Sequence, residues 1–250
     1  MKRGRSIIAG TAALLLFAAL YAGLTGLPRY GESRGSAEQR RAEVAVKDRH
    51  VTNLDAFVNF DYRAMDTLGE EYLVFATVCG LSLLMQDTRG ERAPESMPPA
   101  SGRVIVARSE LVRWFGPWIV GIGTVLGCGV VVHGQLTPGG GFQGGVTVAS
   151  MLGTIWFAYG YRVWNRVTRS TTVEPIESLG AASYALTGAA AVVLAGASFL
   201  QNVAPLGATG AVVSGGTIWI VNAVVGVEVA AAFLVLITEF VHDTRRTVSS

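Results

Sequence analysis

The stretch Leu136-Thr-Pro-Gly-Gly-Gly-Phe-Gln-Gly-Gly145 decides how this chain is read. Five of its ten residues are glycine, one is proline and none is charged. Apolar runs long enough to cross a bilayer, about 20 residues each, lie on both sides. A loop this short between two such runs must reverse the chain at a membrane surface. Pro138, Gly139, Gly140, Gly141, Phe142, Gly144 and Gly145 therefore read as a packing and positioning element rather than an active site. The stretch lacks the Lys-Ser/Thr ending of a nucleotide P-loop and has no strand before it, so phosphate binding is not expected. Glycine here permits left-handed backbone and close approach of another chain.

Composition agrees with a membrane setting. The mean hydropathy is +0.43. Half of the 250 residues are hydrophobic and 15% are charged, against roughly 25% charged in a soluble protein. The 31 glycines suit close helix packing in lipid. The net charge of +2 forms no stripe for nucleic acid, and no nucleic-acid partner is expected. Cys79 and Cys128 read as small apolar residues. No spacing of cysteine and histidine suggests a metal, and no nucleophile arrangement suggests catalysis. Neither an enzymatic activity nor a cofactor is expected.

The fold expected is all-α and polytopic, with about six transmembrane helices. They fall at about 7–27, 68–86, 114–133, 145–164, 179–203 and 217–240. The first reads as an uncleaved anchor or a cleaved signal peptide, and the length of its apolar run favours the anchor. Residues 28–67 read as an exposed loop or a solvated short helix, and 91–110 as a linker. Thr67-Leu-Gly-Glu70 has the form of a capping box, with Asp66 as an alternative cap. Arginine and lysine gather in the segments that a cytoplasmic N-terminus would place inside, while the loops at 134–144 and 204–216 carry no charge. Both termini are therefore expected in the cytoplasm. The turns beginning at Pro138 and Pro205 resemble each other faintly; a parallel repeat and the ordinary glycine and proline content of short turns explain this equally well.

Ionisable residues at membrane depth are the candidates for function. Glu228, in the middle of the last span, is the clearest. It reads as a passive, hydrogen-bonded acid or as one that exchanges a proton or meets a cation. Glu70 and Glu71 open the second span, where acids also favour a helix N-terminus. Asp61, Arg63 and Asp66 precede them. His133, at the outer end of the third span, titrates near neutrality when unperturbed, and a solvated interfacial histidine is the plainer reading.

Two stretches carry a family resemblance. The loop at 136–145, with a helix on each side and two more after it, resembles the B subunit (MnhB/MrpB-like) of multisubunit Mrp/Mnh-type sodium/proton antiporters. The resemblance covers about 112–242. The family's usual Gly-His ahead of the loop is Gly134-Gln135 here, with His133 one place earlier, so no family role carries over to this histidine. The second stretch is Val51-Thr-Asn-Leu-Asp-Ala-Phe-Val-Asn-Phe-Asp-Tyr-Arg-Ala-Met-Asp-Thr-Leu-Gly-Glu70. It resembles a segment near the C-terminal end of the A subunit, shared with small membrane-bound hydrogenase subunits; Tyr62 and Ala64 replace Phe and Gly.

The resemblance implies a two-helix A-tail-like module at 1–90, a linker at 91–110 and a four-helix MnhB-like domain at 111–250. It implies a multi-pass subunit of a cell-membrane antiporter complex, partnered by the bilayer, large A- and D-type channel subunits and small C-, E-, F- and G-type subunits. Glu70 becomes an ion-path candidate, with Glu228 beside it and Asp61, Arg63 and Asp66 at the outer mouth. The alternatives are the membrane arm of an ion-pumping redox complex, a purely structural assembly subunit and a standalone transporter.

Overall fold

The computed structural model describes residues 2–25, 36–90, 110–168 and 170–249. The expected linker, apart from Glu110, lies outside them, as do residues 28–35. Nine α-helices are described: α1 (Lys2–Thr25), α2 (Ser36–Lys47), α3 (Leu54–Phe57), α4 (Ala64–Gly90), α5 (Glu110–Val132), α6 (Gly141–Tyr159), α7 (Tyr161–Val167), α8 (Ser170–Ala195) and α9 (Thr217–Ser249). A π-helical turn, Val58–Tyr62, joins α3 to α4. The chain forms two compact units, Met1–Arg41 and Ala42–Ser250. In the first, α1 leaves Leu14, Leu15, Phe17 and Leu20 exposed, as a lipid-facing helix would.

Among the described residues, four helices are long and apolar enough to cross a membrane: Ala64–Met85, Glu110–Val132, Thr172–Ala195 and Thr217–Val241. Glycine, Gln143 and two threonines dilute the hydropathy of α6, which is not among them. Within α1 the apolar stretch is Ala13–Gly23.

The core of the second unit is α9. Ile218, Val221, Val225, Val229 and Ala232 are buried along it, and α4, α5, α6 and α8 all pack against it. In lipid the apolar effect does not drive helices together, so small residues and interhelical hydrogen bonds must do so. The glycines of α6 show how. A Cβ on Gly141 would stand 2.3 Å from the Asn222 carbonyl oxygen, and one on Gly145 2.7 Å from that of Gly226, so this face lies directly on α9. A Cβ on Gly144 would stand 2.7 Å from the Gly127 oxygen, on α5. Proline in α5 is also accommodated. Pro117 cannot donate to the Arg113 carbonyl, and the Tyr159 hydroxyl of α6 approaches that oxygen at 3.4 Å instead.

Several sequence expectations change. The loop expected at 136–145 is half helix, because Gly141 starts α6 and only residues 133–140 turn the chain. The span expected at 145–164 breaks at Gly160, which adopts φ +81° and separates α6 from α7. The span expected at 179–203 is helical over Ser170–Ala195, and the chain beyond Ala195 is irregular. Thr67 is not a cap: α4 starts at Ala64, and the Thr67 hydroxyl donates to the Asn59 carbonyl at 2.7 Å. Finally, residues 51–60 are no exposed loop. Val51, Asn53, Ala56, Phe57 and Phe60 are buried, packed with Ile218, Val221 and Tyr184.

Candidate functional site

Three acids are buried in the middle of the bundle, each from a different helix. Glu71 of α4 is 1% exposed, Glu177 of α8 3% and Glu228 of α9 0%. Helix register brings them together. α4 and α9 run parallel, with Glu71 beside Glu228 and, a heptad on, Val78 in one apolar cluster with Leu234 and Val235. α8 runs the other way. Its buried face repeats as Val173, Glu177, Gly180, Ala181 and Tyr184, the spacing of one helical stripe.

Gly180 is what lets α8 reach Glu228. A Cβ there would stand 2.6 Å from the Glu228 Cβ and 2.9 Å from its Cα. Any larger residue would push the helices apart at the acid. One turn further along α8, the buried Tyr184 hydroxyl donates to the Ala64 carbonyl at the start of α4, 2.9 Å away. Glu177 lies three residues from Gly180 in the opposite direction, about 4.5 Å along the axis.

The carboxyl groups of Glu71 and Glu228 face each other closely enough to share a proton. Yet no oxygen of either meets a hydrogen-bond donor, and Glu177 Oε1 has none. The two facts agree, because an ionised carboxylate only accepts. Two ionised carboxylates here would repel without compensation, and a proton between them turns the contact into a hydrogen bond. Among the described residues, no lysine, arginine or histidine offsets the three acids. Buried, unpaired acids at membrane depth are costly, which makes the three a candidate site.

A second polar node lies about six residues away on α9, and there both asparagine side chains are matched. The Asn222 side-chain oxygen accepts from the Gly141 backbone N–H at 2.7 Å, and its nitrogen donates to the Val131 carbonyl at 2.5 Å. From the opposite side, Asn53 donates to the carbonyls of Gly134 (2.6 Å) and Thr137 (2.9 Å). The Thr52 hydroxyl donates to the Leu136 carbonyl at 2.7 Å, and the Thr52 and Asn53 N–H groups both reach the Gln135 carbonyl at 3.1 Å. Gly139 and Gly140, at φ +124° and +154°, make the bend that offers these carbonyls. Val51-Thr-Asn53 thus clamps the glycine loop, and the two stretches that carried the resemblance are in direct contact.

The residues expected at the site divide. Glu228 is where the sequence placed it. Glu70 is exposed, because one step along α4 turns it away from the buried face that holds Glu71. Asp66 and Arg63 are exposed and paired with each other, the Arg63 Nε donating at 2.6 Å. Asp61 accepts from Arg49 at 2.5 Å. His133 is exposed, its Nδ1 2.9 Å from the Gly129 carbonyl oxygen within its own helix. Pro138 is exposed, whereas Gly140, Gly141, Gly144 and Gly145 are buried and Phe142 meets Phe233 edge-on with ring centres 6.5 Å apart. Asp61, Arg63 and Asp66 line an open polar pocket of about 540 Å³ with Ser198 and Gln201. Glu177, Tyr184 and the clamping asparagines were not singled out by sequence, and Glu71 was named beside Glu70 without being preferred to it. The signal for Glu177 was present in the α8 stripe, but a span started at 179 leaves that residue outside.

A family model described as the domain related to the MnhB subunit of Na+/H+ antiporters matches residues 111–235. A protein of Methanocaldococcus jannaschii that is itself uncharacterised is 30% identical over 205 residues, 76% of this chain and 77% of its own length. The chain belongs to the MnhB-related family. Two solved structures share the fold. A chain of the membrane-bound sulfane sulfur reductase, an archaeal respiratory membrane complex, superposes with TM-score 0.64 and 23% identity, over 95% of this chain and 98% of that one. A chain of the Mrp complex from a Dietzia species superposes with TM-score 0.73 and 21% identity, over 95% of this chain but 26% of that one. Glu177 and Glu228 fall inside the matched residues 111–235 and Glu71 before them, so the carboxyl cluster joins the matched region to the chain ahead of it.

Proposed function

We propose that this protein is a membrane subunit of a multisubunit Na+/H+ antiporter-type complex in which the Glu71–Glu228–Glu177 cluster contributes to the ion path. The observation that carries this is the burial of three acids without cationic partners between helices of an MnhB-related chain. The role is transport rather than catalysis. About six spans, both termini in the cytoplasm and residence in the cell membrane complete the reading, as does the division into an A-tail-like part (1–90) and an MnhB-like part (111–250). The partners are large A- and D-type channel subunits and small C-, E-, F- and G-type subunits. Exposed apolar side chains on α5, among them Trp114, Trp118, Ile122 and Leu126, suit lipid or a partner helix.

A membrane arm of an ion-pumping redox complex is the second reading. Near-complete mutual coverage with the sulfane sulfur reductase chain favours it. Affinity purification of the tagged chain from its native membrane distinguishes the two. Antiporter subunits alone are expected, and deletion of the chain should abolish sodium-dependent proton flux in membrane vesicles. Recovery with redox subunits would support the second reading. Recovery of the chain alone would contradict both.

A further inference from the structure

The order of polar groups along the bundle goes beyond a cluster. At one end is the open pocket lined by Asp61, Arg63, Asp66, Ser198 and Gln201. Its wall includes Ala64, whose carbonyl holds the buried Tyr184 hydroxyl. Tyr184 lies near Glu71, Glu71 faces Glu228, and Glu177 follows about one turn further along α8. The sequence of groups from pocket to interior is therefore hydroxyl, carboxyl, carboxyl, carboxyl. We propose that these groups form a proton ladder, entered through Tyr184, and that the ion it carries is the proton rather than the metal cation. This deepens the reading above and rests on it for the link to transport.

The surroundings of the acids select the proton. A cation needs a shell of several oxygens. Among the described residues, no three His, Cys, Asp or Glu side chains converge to hold a metal ion. On α8 the residue facing Glu228 is Gly180, which has no side-chain ligand and sits within van der Waals contact of the acid's own Cα and Cβ. The flanking ionisable groups are the acids Glu70 on α4 and Glu174 on α8, both exposed at the rim, and the half-buried Cys79 thiol of α4 near Glu177. A proton needs only the two oxygens that already face each other.

Each step moves one proton and no electrons. A hydronium in the pocket becomes water as the Tyr184 oxygen takes its proton, and the tyrosine O–H bond breaks as its own proton passes to the Glu71 carboxylate. Glu71 then transfers the proton to Glu228, and Glu228 to Glu177, with one O–H bond broken and one formed each time.

Dicyclohexylcarbodiimide tests the assignment, because it couples to a protonated carboxyl by adding the O–H across its C=N bond. In the intact complex, peptide mass spectrometry is expected to find the adduct on Glu71 or Glu228, with a yield that saturating sodium leaves unchanged. Sodium protection, or no adduct on either acid, would overturn the proposal. Labelling is read on the chain itself, so it stands or falls separately from antiport and from the identity of the partners. Tyr184→Phe should retain the adduct and slow proton flux at least tenfold; wild-type flux would remove Tyr184 from the ladder and overturn its entry step. That variant also frees the Ala64 carbonyl, so infrared spectroscopy of the unmodified complex provides an independent arm. A protonated-carboxyl C=O band, insensitive to sodium and lost in Glu71→Gln, is expected, and its absence contradicts the proposal.

Discussion

Asn222 and Glu228 are both 0% exposed on the same helix, six residues apart, and they do opposite things. Asn222 is fully matched: one amide ties the start of α6 and the end of α5 to α9. Glu228 is matched by nothing but another acid. A satisfied polar group in lipid holds helices in place, as interhelical hydrogen bonds do. An unsatisfied one costs free energy, and it persists where the chemistry needs a group whose charge can change. Polarity at membrane depth is therefore not one signal. Hydrogen bonding separates the matched node from the unmatched one.

The comparison can be broken first at the node. Gly141→Val places side-chain atoms into the α9 backbone at Asn222 and Gly226. A loss of about 4 kcal/mol or more is expected from such overpacking, read as failure of the subunit to accumulate in the assembled complex. An intact complex with altered ion selectivity would overturn the packing role of the loop. Asn222→Ala leaves the Gly141 N–H without a partner and leaves the Val131 carbonyl only the longer contact from the Gly134 N–H at 3.2 Å. One orphaned buried donor and one lost interhelical hydrogen bond cost about 2 kcal/mol together, measurable as a lowered melting temperature of the detergent-solubilised complex. The effect on transport should scale with the assembled fraction and no further.

At the carboxyl site the signs reverse. Glu71→Gln removes one of two facing carboxyls and supplies an amide donor to the other. Stability is expected to stay within about 1 kcal/mol of the parent or to rise, as replacing an imperfectly paired buried charge often does, while ion flux falls. Glu70→Gln is the smallest case. An exposed helix residue changes stability by about 0.5 kcal/mol or less, and neither assembly nor flux should move. A large loss of flux in Glu70→Gln with flux retained in Glu71→Gln would return the site to the neighbour the sequence favoured.

Much of the fold was legible in the sequence because lipid imposes length and apolarity. Each apolar run from 68 onward holds a helix, although one breaks at Gly160 and another stops at Ala195, and Glu228 stood out as a charge amid valines and alanines. The boundaries were less legible, and the site depended on them. Starting α4 at 68 rather than 64 made Glu71 a terminal acid with an ordinary reason to exist; four residues more of helix place it a full two turns inside. Starting α8 at 179 hid Glu177 in the same way. The choice between Glu70 and Glu71 turns on a rotation of one residue, and only the packing of α4 on α9 fixes it. The glycine loop was legible as a reversal, but its clamp by Val51-Thr-Asn53 is a long-range contact that no local pattern encodes.

Transport by vesicles carrying Glu228→Gln, with assembly of the complex verified, tests the central claim most directly. At least a tenfold fall in sodium-dependent proton flux is expected, with subunit content and melting temperature unchanged. Parental flux in that variant would contradict the account and leave the buried acids as packing alone.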